Sequence, residues 1–119
     1  ISMEKGIVVL DANKKQCQGI CSFLDELDYQ ATPMYSVNNL SEFIREGHCG
    51  LLILDLDTIE VDKNLFRKLK RTKPSLSIVG LSSRSFHPEL QEAMSSHIYA
   101  CLSKPLDEEE LIFWVKSLF

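Results

Sequence analysis

Leu51-Leu52-Ile53-Leu54-Asp55 is the stretch whose reading decides the fold. Four consecutive large apolar residues run directly into a carboxylate, with Gly50 before them and polar residues beyond Asp55. An apolar run this short reads as a β-strand buried on both faces. In open parallel sheets, ligands bind outside the carboxyl ends of the strands. Asp55 is therefore the first candidate for chemistry, and the rest of the chain is read for what it brings to that edge.

Gly6-Ile7-Val8-Val9-Leu10 is a second such run, rich in β-branched residues, and it ends at Asp11. From Lys14 to Leu27, apolar residues recur three and four apart at Cys17, Ile20, Cys21, Leu24 and Leu27, which predicts an amphipathic helix. Tyr29 to Tyr35 is a short strand that Pro33 confines to an edge. Ser36 or Asn38 would cap a helix carrying Val37, Leu40, Phe43 and Ile44 on one face, stopped by Gly47. After Asp55 come a polar loop from Asp57 to Asp62 and a helix with Leu65, Phe66 and Leu69 that ends near Arg71, ahead of Pro74. Leu76 to Leu81 is a further strand, leading to Ser82-Ser83. Pro88 to Ser96 reads as a short helix, and Ile98 to Leu102 as the last strand, followed by Ser103-Lys104-Pro105. Asp107 and Glu110 form a capping box that opens the final helix. Five strands alternating with five helices predict an α/β fold, a parallel sheet with helices on both faces.

A length of 119 residues suits one domain, expected over residues 4–119, with residues 1–3 set aside as an expression remnant or a disordered start. The composition is 45% hydrophobic and 25% charged with a net charge of −4, which argues against a general nucleic-acid binder. No apolar stretch approaches a membrane span and no secretory signal is visible, so a cytoplasmic location is expected. Four cysteines are present, with no Cys-x-x-Cys pair. Cys17 and Cys21 share a helix face, and with His48 and Cys49 they would suggest a metal site; small buried hydrophobes in a reducing compartment are the favoured alternative. Lys63, Arg67, Lys68, Lys70, Arg71 and Lys73 make one helix basic, which suits either an anionic partner or a solvated face with cations toward its C-terminus. His48, His87 and His97 pair with no obvious nucleophile, and Trp114 suits a partner face or a buried position.

Asp11, Asp55, Ser82 and Lys104 all follow strands that would end on one edge of the sheet. Two carboxylates there would hold a cation such as Mg²⁺. A carboxylate is also a nucleophile able to become an aspartyl phosphate, with a hydroxyl and an ammonium binding the phosphoryl oxygens. On these motifs, together with Ile78-Val79-Gly80-Leu81-Ser82-Ser83 and Cys101-Leu102-Ser103-Lys104-Pro105, the chain from Lys5 to Phe119 resembles a response-regulator receiver domain of bacterial two-component signalling. The resemblance implies a doubly wound, flavodoxin-like sheet of strand order 2-1-3-4-5. It implies that Asp55 is the phosphoacceptor, that Asp11, Asp55 and the main-chain carbonyl of Asp57 bind Mg²⁺, and that Ser82 and Lys104 attend the phosphoryl group. It further implies a cis Lys104-Pro105 bond that would aim the ammonium at the pocket, and switch residues at Ser82 and Cys101. The implied partners are a histidine kinase or phosphotransfer protein, an effector domain in the same parent chain, and a second copy through the face made by the helix over Pro88 to Ser96, the fifth strand and the last helix. No direct contact with nucleic acid or membrane is implied, and no enzymatic turnover beyond the domain's own phosphorylation and dephosphorylation.

Three positions depart from that pattern. Ala12 stands where the family has a second acid, which should weaken Mg²⁺ binding and phosphorylation, while the neutral Asn13 points elsewhere. Cys101 replaces the aromatic switch residue, and Tyr99, two residues earlier, would share its face by strand alternation. Ile59 and Lys63 replace a Pro and a Gly in the loop after Asp55. Ala12 and Cys101 motivate an alternative reading, a pseudo-receiver that binds partners without phosphorylation. Asp55-Leu56-Asp57-Thr58 also resembles the start of haloacid-dehalogenase-type phosphatases. That motif normally ends the first strand of its fold, and Ile59 stands where Thr or Val is usual. A flavin site would need a dedicated phosphate loop, and none is seen.

Overall fold

A computed structural model describes residues 6–47, 49–84 and 97–119. In chain order these form β1 (Gly6–Leu10), α1 (Lys14–Glu26), β2 (Gln30–Met34), α2 (Leu40–Glu46), β3 (Cys49–Asp55), α3 (Lys63–Thr72), β4 (Ser77–Ser82), β5 (Ala100–Ser103) and α4 (Glu108–Leu118). The helix expected over Pro88 to Ser96 lies outside the described residues, as do residues 1–5, His48 and His87. All strand pairs are parallel, in the order β2-β1-β3-β4-β5.

Strand alternation divides the core into two layers. Val8, Leu10, Leu52, Leu54 and Ile78 face α2 and α3, meeting Leu40, Ile44, Phe66 and Leu69. Ile7, Val9, Leu51, Ile53, Val79 and Leu81 face α1 and α4, meeting Cys17, Ile20, Leu24, Leu111 and Val115. β3 is central, and Leu51 to Asp55 are fully buried, as a strand covered on both faces requires. The register pairs Leu10 with Leu54, Leu54 with Gly80 and Gly80 with Cys101, so the residues that follow emerge together along one edge.

Several local expectations need correction. β3 begins at Cys49, so Gly50 lies inside the strand, because the register already pairs Gly6 with Cys49. Neither Ser36 nor Asn38 caps α2; Asn39 holds the N-cap position in the left-handed region (φ 64°), and Ser36 Oγ instead accepts the Asn38 N–H. Only Leu40 and Ile44 of that helix are buried, while Val37 precedes it and Phe43 projects outward, as does Leu27 at the end of α1. Gly47 does end α2, at φ −95°. Its lack of a side chain matters through close approach, since a Cβ there would lie 2.8 Å from the Phe43 carbonyl oxygen. Asp107 caps α4 by accepting the Glu109 N–H. β5 starts at Ala100, later than expected: Tyr99 donates its N–H to the Ile78 carbonyl but lies in a bend.

Tyr99 precedes the strand, so the alternation of β5 begins at Ala100. Its ring meets Trp114 of α4 edge-on at 5.3 Å, and Cys101 pairs with Gly80, where a Cβ would lie 3.6 Å from Cys101 Sγ. Cys17, Cys21 and Cys49 are buried but Cys101 is exposed. Cys49 packs in the opposite layer from Cys17 and Cys21, so these three thiols do not converge on a metal.

Candidate site at the carboxyl edge of the sheet

Asp11 follows β1 and is held by an N–H to the Met34 carbonyl at 2.9 Å, which carries the sheet one residue beyond the strand. Asp55 is the last residue of β3. Both side chains are fully buried, as is the Ser82 hydroxyl residue at the end of β4. Lys104 follows β5, anchored by its N–H to the Ser82 carbonyl at 3.1 Å, and its peptide bond to Pro105 is cis. The four candidate side chains thus gather on one edge.

Lys104 Nζ lies 2.5 Å from Asp55 Oδ1 and 2.9 Å from Asp57 Oδ2. Asp55 Oδ1 also accepts from Gln16 Nε2 at 3.4 Å, while Oδ2 accepts the Thr58 N–H at 3.0 Å and the Thr58 hydroxyl at 2.7 Å. An ionised carboxylate offers about four lone-pair sites, so Asp55 is densely engaged, with the Thr58 hydroxyl proton shared between it and Asp11. Asp11 Oδ1 accepts the Asn13 N–H at 2.8 Å and faces Thr58 Oγ1 at 3.0 Å, and Oδ2 accepts from the Gln16 amide. Gln16 and Thr58 therefore bridge the two carboxylates. Asn13 turns away, as expected, and caps α1 by accepting the Gln16 N–H. Ala12 is exposed, and its N–H donates to Thr58 Oγ1 at 3.0 Å.

Asp57 is engaged through its side chain. Its Oδ2 accepts the Ser83 N–H at 2.9 Å in addition to the Lys104 ammonium, and Oδ1 accepts the Ser82 hydroxyl at 3.3 Å. Burial pushes the Asp57 carboxyl up, but Lys104 and the Ser83 donor outweigh it and hold the group at about 2, below its ordinary 3.8. Burial likewise works against the Lys104 ammonium, and the two carboxylates on it reverse that and raise its pKa. Neither Gln16 nor Thr58 was singled out from the sequence. Their only signal was nearness to Asp11 and Asp55, with Gln16 in the first turn of α1.

Asp55 and Asp57 on the Lys104 ammonium, with Asp11 joined through Thr58, leave a formal excess of two negative charges, which suits a small divalent cation. Among the described residues, no three His, Cys, Asp or Glu side chains are arranged around a common cation position. The donor set that suits a cation is two carboxylates, Asp11 and Asp55, and the bridging Gln16 and Thr58 donors compete with it for the same oxygens. Thr58 Oγ1 has one proton for two carboxylate oxygens, so a cation taking one of them would relieve a contact that the hydroxyl alone leaves short of a donor.

The loop departure has a packing reason. Ile59, where the receiver pattern has proline, is buried in the α2 and α3 layer and donates its N–H to the Asp55 carbonyl at 3.2 Å. Two lysines satisfy backbone carbonyls, Lys70 of α3 at Leu76 (2.6 Å) and Lys73, the C-cap of that helix, at Cys49. Among the described residues no helix is long and apolar enough to cross a membrane.

A family model described as the response regulator receiver domain matches residues 7–116. No curated protein matches the sequence significantly. Similar solved structures include a two-component response regulator from Clostridium difficile, 22% identical, covering 96% of this chain and 94% of its own, with a TM-score of 0.83. The beryllofluoride-activated receiver domain dimer of NtrC4 is 19% identical over 97% of this chain and 96% of its own, with a TM-score of 0.84. The receiver domain of a sensor histidine kinase from Pseudomonas aeruginosa PAO1, with a magnesium ion coordinated in its active-site cleft, is 14% identical over 96% of each chain, with a TM-score of 0.80.

Proposed function

Because the chain belongs to the response regulator receiver domain family, we propose that it accepts a phosphoryl group on Asp55 from a histidine kinase or phosphotransfer protein, and that it does so weakly. The observation that carries this is the Asp55 carboxylate at the end of β3 with Lys104 Nζ 2.5 Å away and Asp11 joined to it through Thr58. A carboxylate oxygen of Asp55 forms the new P–O bond as the donor's P–N bond breaks, and the departing imidazole nitrogen keeps the electron pair and takes a proton. Lys104 offsets the charge that gathers on the phosphoryl oxygens. Asp11, Asp55 and the Asp57 carbonyl would hold Mg²⁺, which would supply charge neutralisation. Ala12 and the bridging donors make that binding weak. The domain turns over no separate substrate; its chemistry is confined to gaining and losing its own phosphoryl group.

The phosphoryl charge then biases the surface of β5 and α4, which meets an effector domain or a second copy. A cytoplasmic setting fits this role. Intact mass after incubation with acetyl phosphate and Mg²⁺, run beside Asp55→Asn, tests the reading. One added phosphoryl group, lost in Asp55→Asn, supports it, and no addition to the parent under saturating donor overturns it. The second reading, a phosphorylation-independent interaction module, is favoured by one observation: Asp55 is already held by Lys104, Gln16 and Thr58. Under it, partner binding is the same in the parent and in Asp55→Asn.

A further inference from the structure

We propose that the Asp57 carboxylate is a built-in occupant of the oxyanion seat formed by Lys104 Nζ, the Ser83 N–H and the Ser82 hydroxyl, and that it keeps other oxyanions out until it is displaced. The inference deepens the proposed function and rests on it only for the identity of the eventual guest.

The seat is defined by its donors. Lys104 and the Ser83 N–H both reach Asp57 Oδ2 at 2.9 Å, and the Ser82 hydroxyl reaches Oδ1 at 3.3 Å. An ammonium, a main-chain N–H and a hydroxyl converging on one acceptor-only group are what a phosphoryl or sulfate group also requires. These donors do not distinguish a carboxylate oxygen from a phosphoryl oxygen. They stand beside Asp55, since Lys104 bridges the two carboxylates. The Ser82 hydroxyl oxygen also accepts the Arg84 N–H at 2.9 Å.

A phosphoryl group on Asp55 needs its oxygens where the Asp57 oxygens now lie. Both groups are anionic, so sharing the seat would bring like charges into contact. Occupancy by one therefore excludes the other. Asp57 belongs to the turn between β3 and α3, and its residue as a whole is exposed, so it can swing outward without disturbing either core layer. In this arrangement the turn reports whether the seat holds the internal carboxylate or an external oxyanion.

The test uses inorganic sulfate as the probe, without Mg²⁺, followed by the Ser83 amide signal in two-dimensional NMR. Asp55→Asn serves as the background, so that neither phosphorylation nor the nucleophile's charge enters. Adding Asp57→Ala should strengthen sulfate binding by about tenfold or more, and adding Lys104→Ala to that protein should abolish the gain. Asp57→Asn, which keeps the side chain's volume and drops its charge, should gain less than Asp57→Ala. Unchanged sulfate affinity in a folded Asp57→Ala protein overturns the proposal, as does a gain that survives Lys104→Ala. The outcome is separate from that of the acetyl phosphate experiment. If no variant takes up phosphate, the phosphoacceptor reading falls while the sulfate titration still decides whether Asp57 fills the seat.

Discussion

Ala12→Asp separates two opposed forces at the end of β1. Ala12 is exposed, and its N–H reaches Thr58 Oγ1 at 3.0 Å, in the same turn as Asp11. A carboxylate added there would join a cluster that already carries a formal excess of two negative charges. Two unit charges about 4 Å apart interact by about 1 kcal/mol in water. Without a cation, the new carboxylate should therefore destabilise the fold by about 1 kcal/mol, or about 4 °C in melting temperature for a domain of this size. Toward a divalent cation, the same charge is worth about 2 kcal/mol, roughly a thirtyfold gain in affinity, which screening at physiological salt reduces to about tenfold. The two effects have opposite signs in one protein. Thermal unfolding in EDTA and in excess Mg²⁺, with calorimetric titration of the metal, reads both. The variant should melt below the parent in EDTA and gain more from Mg²⁺ than the parent does. Equal Mg²⁺ affinity in parent and variant would refute the claim that the missing acid is what weakens the site.

Three further outcomes follow from the geometry. Asp57 titrates at about 2 against an ordinary 3.8, so its contribution is present above about pH 4 and lost as pH falls toward 2; discounted for solvent screening it is worth roughly 1 kcal/mol. The raised Lys104 contributes below its ordinary 10.5 and loses that contribution as pH rises through its higher folded value. Denaturant titrations of the parent and Asp57→Asn should thus differ near neutral pH and converge by about pH 2, and a gap that ignores pH would refute the ion pair. Phe66→Ala removes the largest fully buried side chain from the α2 and α3 layer and should cost about 3–5 kcal/mol in urea unfolding; a loss below about 1 kcal/mol would mean that layer is not close-packed. Burial pushes the thiols of Cys17 and Cys101 up and that of Cys21 to about 12, so alkylation of the native protein should be slow at neutral pH and map to the exposed Cys101, and rapid modification of Cys17 would contradict the packing of α1.

The sheet was legible because its signals are periodic. Leu51 to Asp55 and Gly6 to Leu10 could only be buried strands, and the spacing from Cys17 to Leu24 only an amphipathic helix, so element order and the shared edge followed. What resisted reading was local. Asn39 caps α2 from a left-handed backbone position, which no pattern of Ser and Asn announces. Tyr99 lies in a bend because the ladder begins at Ala100, so the period-two pattern of β5 does not extend to it. Helical spacing puts Phe43 on one face with Leu40 and Ile44, yet in a seven-residue helix starting at Leu40 only the i, i+4 pair of Leu40 and Ile44 is buried.

At the site the same division holds, and it explains why the pocket's chemistry is less conventional than its motifs. Asp11, Asp55, Ser82 and Lys104 sit at strand ends, where register alone brings them together. Gln16, Asp57 and Thr58 sit in turns and a first helical turn, where side-chain direction depends on torsions that no sequence period encodes. Yet these three do most to change the electrostatics. Gln16 and Thr58 put neutral donors between Asp11 and Asp55, the position a cation would neutralise. Asp57 puts a carboxylate on Lys104, the position an oxyanion would neutralise. Because Asp57 and Thr58 are adjacent in one turn, a cation that displaces the Thr58 hydroxyl and an oxyanion that displaces the Asp57 carboxylate are expected to favour each other. The expected signature is that excess sulfate strengthens Mg²⁺ binding in the Asp55→Asn protein, with reciprocal strengthening of sulfate by Mg²⁺. Independent binding of the two ions would show that the turn does not couple them.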